Sequence, residues 1–213
     1  VDEFQDISSD RAALLVALLD LHPDSKLFAV GDDWQSIFRF AGSDVSLMRE
    51  FSERFGIKVD QYCPSDTPVD LGRTFRCVEG IATPAAQFVQ KNPFQLNKSM
   101  LSSSTNKRPA LHVHFSDERD PETALREVLD SISRYEVGPG GKVLILGRYN
   151  YDCPKGLKAL AQDYQNLELR FQSVHASKGS EGDHVIVMGM VSGRRGFPSL
   201  IEDDPVLRMV VST

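Results

Sequence analysis

A chain of 213 residues with 41 % hydrophobic and 25 % charged residues has enough apolar content to bury one or two substantial cores, which excludes a disordered or low-complexity chain. A formal net charge of −6 excludes a uniformly basic nucleic-acid surface, though not a protein that grips a single strand by base stacking and a few local cations. No apolar run approaches the ~20 residues that cross a bilayer, and Cys63, Cys77 and Cys153 are too few and too far apart for a zinc site or a disulfide framework, so reduced thiols in a cytoplasmic protein are expected.

In chain order, Val1 to Phe4 reads as the end of a strand. Ser9 to Leu21 is predicted as a helix, capped by Ser8 or Ser9 and carrying Leu14, Leu15, Leu18 and Leu19. Leu27 to Gly31 is the next strand, and Asp44 to Phe55 a helix with Val45, Leu47, Met48, Phe51 and Phe55 at helical spacing, stopped by Gly56. Residues 1–56 therefore form part of a first lobe. Pro64 and Pro68 among Asp and Ser mark 57–68 as a linker, and 69–213 make a second lobe. Within it, strands are predicted at Val69 to Leu71, Leu111 to Phe115, Lys142 to Leu146, Leu167 to Val174 and Val185 to Met190. Helices are predicted at Glu79 to Gln90, Pro121 to Tyr135 and Pro154 to Tyr164, with irregular chain at Lys98 to Arg108 and Arg194 to Pro205. Alternating strands and helices imply an α/β class, parallel sheets flanked by helices.

The chemistry starts at Val1-Asp2-Glu3-Phe4-Gln5-Asp6 and Gly31-Asp32-Asp33-Trp34-Gln35-Ser36. An aspartate at a strand end can hold Mg²⁺ through water while the next glutamate polarises an attacking water, and Gln35 at the end of the neighbouring strand is placed to sense a γ-phosphate. An acidic pair alone is more often a solvated strand end; the following blocks give it weight.

Five ordered blocks resemble the UvrD/Rep family of superfamily 1 DNA helicases. Asp2 to Asp6 is similar to motif II, Val30 to Gly42 to motif III, Leu71 to Arg76 to motif IV, Leu144 to Asn150 to the strand segment after it, and Gln172 to Ile186 to motif V. The resemblance covers nearly the whole chain and implies RecA-like lobes, the first partial and the second complete or nearly so. It also implies ATP and Mg²⁺ as cofactors, single-stranded DNA and duplex junctions as partners, 3′ to 5′ movement, and a place in the bacterial cytosol near the nucleoid. Asp2 and Glu3 would serve the metal, with Glu3 orienting or deprotonating the water, Gln35 coupling phosphate to the DNA track, and Arg76 acting as an arginine finger. Phe75 lies beside the adenine ring or is a plain core residue. Phe38 and Phe40, two apart, are either base-stacking or core. Relatives often carry an arginine where this chain has Ala41, so that contact is either lost or supplied by Arg39. His175, Ser177 and Lys178 would touch the single-strand backbone beside Gly179, and Glu181 the ribose. His22, His112, His114 and His184 are read as structural.

No Gly-x-x-x-x-Gly-Lys-Ser/Thr occurs in the sequence, and the arginine-bearing motif VI is expected after motif V. The chain is accordingly expected to be part of a longer helicase, partnered by the remainder of its own chain and inactive alone. The short interval between Arg76 and His175 leaves no room for the large insertion common in the family, which points away from UvrD and Rep themselves. The other reading is a non-catalytic RecA-like regulatory or protein-binding module.

Overall fold

The computed structural model describes residues 1–55, 71–93, 95–96, 98–104, 110–116, 120–135, 140–193 and 197. They fall into two compact units, within Val1–His112 and Val113–Asp203. The linker proposed at 57–68, the helix stop at Gly56 and most of the loop after Arg194 lie outside the described residues.

In the first unit the segments predicted as strands at Val1 and Leu27 run side by side in parallel. The Val1 nitrogen donates to Phe28 O at 2.7 Å, Val30 N–H to Val1 O at 2.9 Å and Phe4 N–H to Val30 O at 2.9 Å. The pairing stops there because Glu3 turns the chain into a 3₁₀ turn, Phe4–Asp6. Helix α1, Ser9–Leu21, has the expected bounds, and Ser8 Oγ caps it by accepting the Arg11 N–H at 3.4 Å. Only one side of its leucine pattern packs: Leu15 and Leu19 meet the core with Ala12, whereas Leu14 and Leu18 are exposed. The helix expected over Asp44 to Phe55 is instead two short pieces, α2 (Ser46–Arg49) and α3 (Phe51–Arg54). Glu50 between them leaves helical geometry at φ −100°, ψ 26°, and the kink turns Phe51 and Phe55 onto Phe4, ring centroids 5.2 and 5.7 Å away. Aromatic packing outweighs the continuity of a weakly capped helix. Phe4, Ile7, Ala12, Leu47 and Phe55 are the buried centre.

Further along this unit, β1 (Arg73–Thr74) pairs in parallel with β2 (Leu101–Ser102), and α4 (Glu79–Val89) lies between them in sequence. The strand anticipated near Leu71 thus falls slightly later, and a strand stands inside the stretch expected to be irregular. Leu111 to Phe115 forms no strand: Leu111, Val113 and Phe115 are all exposed, so the alternation there has no sheet face to bury.

The second unit follows the sequence pattern closely. Helix α5 (Pro121–Tyr135) is followed by β3 (Gly141–Gly147), α6 (Leu157–Asp163), β4 (Leu167–Ser173) and β5 (His184–Val187). The sheet order is β4-β3-β5, all parallel, with Ile145 opposite Phe171 on one side and Ile186 on the other. Val143, Leu144 and Ile145 are consecutively buried, the mark of a central parallel strand covered on both faces. Leu125 and Leu129 of α5 and Leu160 of α6 complete that core. At its edge the Tyr164 hydroxyl donates to Asp130 Oδ1 at 2.6 Å; burial first, then that bond, pushes its pKa up to about 12. Parallel sheets flanked by helices, the architecture expected from the sequence, are what the chain adopts. Among the described residues no helix is long and apolar enough to cross a membrane.

Candidate functional site

Phe4 anchors the first acidic pair. With its ring 2 % exposed, the two residues before it are forced to the surface, and Asp2 and Glu3 are both exposed. Glu3 adopts φ 52°, ψ 44°, the left-handed region, and among the described residues no other non-glycine has positive φ. Such a conformation costs on the order of 1–3 kcal/mol and persists only where the surroundings enforce it. Here they do: the Glu3 N–H bonds Asp2 Oδ1 at 2.9 Å, and the Gln5 side-chain amide donates to Glu3 Oε2.

Gln5 is wholly buried, and its other end is equally committed, Oε1 accepting the Asp32 N–H at 2.8 Å. Asp32 Oδ2 in turn accepts the Gln35 Nε2 at 2.7 Å. Three hydrogen bonds therefore link Glu3 to Gln35 through Gln5 and Asp32, bringing together the two residues the sequence singled out on separate segments. Gln5 was not among the expected site residues. The signal for it was there, in a glutamine set between acidic residues with a glycine at the partner strand end. Gly31 is needed because a Cβ there would sit 2.8 Å from Gln5 Oε1 and 3.1 Å from Gln5 N. Gly31→Ala is expected to destabilise the protein by about 1–3 kcal/mol, since backbone as well as side chain must shift. A urea midpoint unchanged from wild type would contradict this.

Asp33, 0 % exposed, accepts the Leu96 N–H at 2.8 Å and the Lys98 Nζ at 2.8 Å. Lys98 also pairs with Asp32 Oδ1 and lies 4.8 Å from the Trp34 ring centroid, while Trp34 Nε1 donates to Leu96 O at 3.2 Å. Burial pushes the Asp32 carboxyl up, but hydrogen bonds from Lys98, Gln35 and the Trp34 N–H together outweigh it and hold the group below its ordinary value. For Lys98, burial works to lower the ammonium pKa and the bonds to Asp32 and Asp33 reverse it, leaving a raised value. Lys98 was hidden from sequence reasoning because its stretch has no periodicity and its partners are more than sixty residues away.

Gln35 is exposed, as are Arg39 and Phe40; Phe38 is half-buried, its ring edge-on to Phe40 at 6.0 Å. Phe40 thus has a face toward solvent, and Phe38 is the more structural of the two. Phe75 and Arg76 stand in the exposed turn after β1, where the Arg76 N–H bonds Thr74 Oγ1 at 3.3 Å. Phe75 is 82 % exposed and belongs to neither buried cluster of the described residues.

In the second unit, β4 runs directly into the turn carrying His175, Ser177 and Lys178. The Ser177 N–H bonds Ser173 O at 2.9 Å and its hydroxyl bonds Val174 O at 2.9 Å, so the turn is wound by its own serine. Gly179, φ 79°, closes it in a conformation an L side chain would resist. Glu181 is exposed beyond the glycine, and Asp183 accepts the Lys142 N–H at 2.9 Å, tying the end of the loop to β3.

Residues 1–56 match the UvrD/REP helicase N-terminal domain. The chain is 41 % identical over 199 residues to the DNA helicase IV of Escherichia coli K12, an alignment covering 93 % of this chain and 27 % of that protein. It is 25 % identical over 206 residues to a probable DNA helicase of Mycoplasma pneumoniae (94 % of this chain, 36 % of that one). It is 28 % identical over 164 residues to the ATP-dependent DNA helicase UvrD2 of Mycobacterium tuberculosis strain H37Rv (76 % and 22 %). The chain thus spans about a quarter to a third of the length of these relatives. Its first residues match that family's N-terminal domain and nearly its full length aligns with a DNA helicase IV, so the chain is similar to UvrD/Rep-type helicases across almost all of its residues.

Proposed function

We propose that these residues are part of an ATP-dependent DNA translocase of the UvrD/Rep type, moving 3′ to 5′ on single-stranded DNA and separating duplex at junctions. The hydrogen-bonded path from Glu3 through Gln5 and Asp32 to Gln35 is the observation that carries this reading. It joins a solvent-facing carboxylate to a solvent-facing amide through buried Gln5 and half-buried Asp32, as a hydrolytic site coupled to a neighbouring surface requires. In this reading 1–56 belong to the first RecA-like lobe, 57–68 to the linker and 69–213 to the second lobe, and the protein works in the bacterial cytosol at the nucleoid.

The donor set fits Mg²⁺. Asp2 and Glu3 offer only oxygen, both face solvent, and among the described residues no group of three or more His, Cys, Asp and Glu could enclose a metal. One or two carboxylates plus water and phosphate oxygens are the usual shell of Mg²⁺. Asp2 and Glu3 would hold it there, and it would supply charge neutralisation on the phosphates of ATP. Glu3 accepts the proton of the attacking water, its carboxylate kept in place by Gln5. Gln35 presents an amide to the phosphate, and Arg76 donates to the charge that develops on transfer. Phe40, with Phe38 behind it and Arg39 beside it, offers a base-stacking surface. In the second unit the turn with His175, Ser177 and Lys178 offers cation and hydroxyl to a strand backbone, and Glu181 a carboxylate to a ribose. Phe75 offers an open aromatic face for adenine.

Single-strand-stimulated ATP hydrolysis by the full-length protein tests this reading, and strong stimulation is expected. Folded protein without stimulation would favour a RecA-like protein-binding module instead. The 213 residues assayed alone are expected to turn over ATP no faster than their own Glu3→Gln variant, because the β-phosphate has no Gly-x-x-x-x-Gly-Lys-Ser/Thr loop among them.

A further inference from the structure

We propose that Lys98 is a positioning residue, a clamp that sets the Asp32 carboxylate and through it Gln35, and that joins the Gln35 turn to the segment bearing Arg76; the catalytic half of this rests on the reading above. Asp32, Asp33 and Trp34 are held to Leu96 and Lys98 by five contacts. They are Lys98 Nζ to Asp33 Oδ1 at 2.8 Å, Lys98 Nζ to Asp32 Oδ1, Lys98 over Trp34, Leu96 N–H to Asp33 Oδ2 at 2.8 Å, and Trp34 Nε1 to Leu96 O at 3.2 Å. The two carboxylates have different tasks. Asp33 is fully buried and spends both oxygens on Leu96 and Lys98. Asp32 divides its oxygens, Oδ1 to Lys98 and the Trp34 N–H, Oδ2 to Gln35. An Asp32 free to rotate would release the Gln35 amide, so the cation that fixes Oδ1 also aims Oδ2.

The clamp is itself anchored. Gln90, at the end of α4, donates its side-chain amide to Lys98 O at 2.8 Å. Three residues on, β2 pairs with β1, and Ser102 Oγ donates to Cys77 O at 2.7 Å, the residue next to Arg76. A continuous path of short bonds and a few chain links therefore runs from Gln35 through Asp32, Lys98 and β2 to the arginine turn, inside one compact unit. In this proposal a displacement of either end reaches the other through Lys98.

A plainer role for Lys98 would be to neutralise buried Asp33. Lys98→Met alone cannot separate the two, because it strands a buried carboxylate without its cation. The test uses the full-length protein with Asp33→Asn/Lys98→Met, neutral and close in shape, and Lys98→Arg, which keeps the charge. Amide hydrogen exchange read on the peptide spanning 32–36 reports the clamp, and single-strand-stimulated ATPase reports its use. In the double variant, melting as a folded protein, at least tenfold faster exchange at Trp34 and Gln35 is expected. Its kcat should fall at least tenfold with KM for ATP within threefold, and Lys98→Arg should recover most of both. Wild-type exchange and wild-type kcat in the double variant would reduce Lys98 to charge neutralisation and overturn the clamp. Loss of stimulated hydrolysis in the wild type itself would overturn the motor reading, while the exchange measurement would still decide whether Lys98 orders the turn.

Discussion

Glu3→Gln in the full-length protein is expected to lower single-strand-stimulated ATP turnover by about 10²- to 10⁴-fold, the range a positioned general base contributes. The substitution changes little else. Glu3 is exposed, its left-handed backbone is set by Asp2 and by the chain's turn onto buried Phe4, and a glutamine can still accept the Gln5 amide through its carbonyl oxygen. What it cannot do is take a proton from water. The loss should therefore fall on kcat, with KM for ATP and the affinity for single-stranded DNA close to wild type. Steady-state kinetics with saturating oligonucleotide make the measurement. A loss below tenfold would show that Glu3 is a solvated strand end and that the base lies elsewhere.

Arg76→Ala is expected to have an effect as large or larger, about 10³- to 10⁵-fold on the hydrolytic step, if the guanidinium meets the transferring phosphate as an arginine finger does. Arg76 is exposed and its backbone is held by Thr74, so its removal should leave thermal stability near wild type. Single-turnover hydrolysis separates this from a binding defect, because the finger acts on developing charge more than on ground-state affinity. Arg76→Lys distinguishes further: a lysine keeps the charge without the planar fork, so it should recover only a small part of the rate. Full recovery by lysine, or an unchanged hydrolytic rate in the alanine variant, would make Arg76 a surface cation, worth little to the protein.

These two residues and Gln35 are the ones the sequence singles out, because each sits in a contiguous run whose residue types suggest a chemistry: paired carboxylates, a glutamine after two aspartates, an arginine after a phenylalanine. The second unit was legible for a different reason. Helices α5 and α6 and strands β3, β4 and β5 have apolar patterns long enough for one period to prevail, and the hydrophobic face of each is the face the sheet buries. Where patterns were short, long-range packing decided. The expected helix over Asp44 to Phe55 broke at Glu50 so that Phe51 and Phe55 could reach Phe4, and the alternation at Leu111 to Phe115 found no strand to pair with among the described residues.

By itself, then, the amino-acid sequence determined the α/β class and the resemblance to UvrD/Rep-type helicases, and it singled out the residues proposed for the site from local runs. Only the tertiary structure decided that Gln5 ties Glu3 to Asp32, that Gly31 must lack a side chain for it to do so, that Phe75 is open to solvent and that Lys98 closes on the Asp32–Asp33 corner. The physical reason is common to all four. Local runs are encoded by neighbours in the chain, whereas a buried hydrogen bond or ion pair is satisfied by whichever group folding brings within about 3 Å, and nothing in sequence spacing marks that partner in advance.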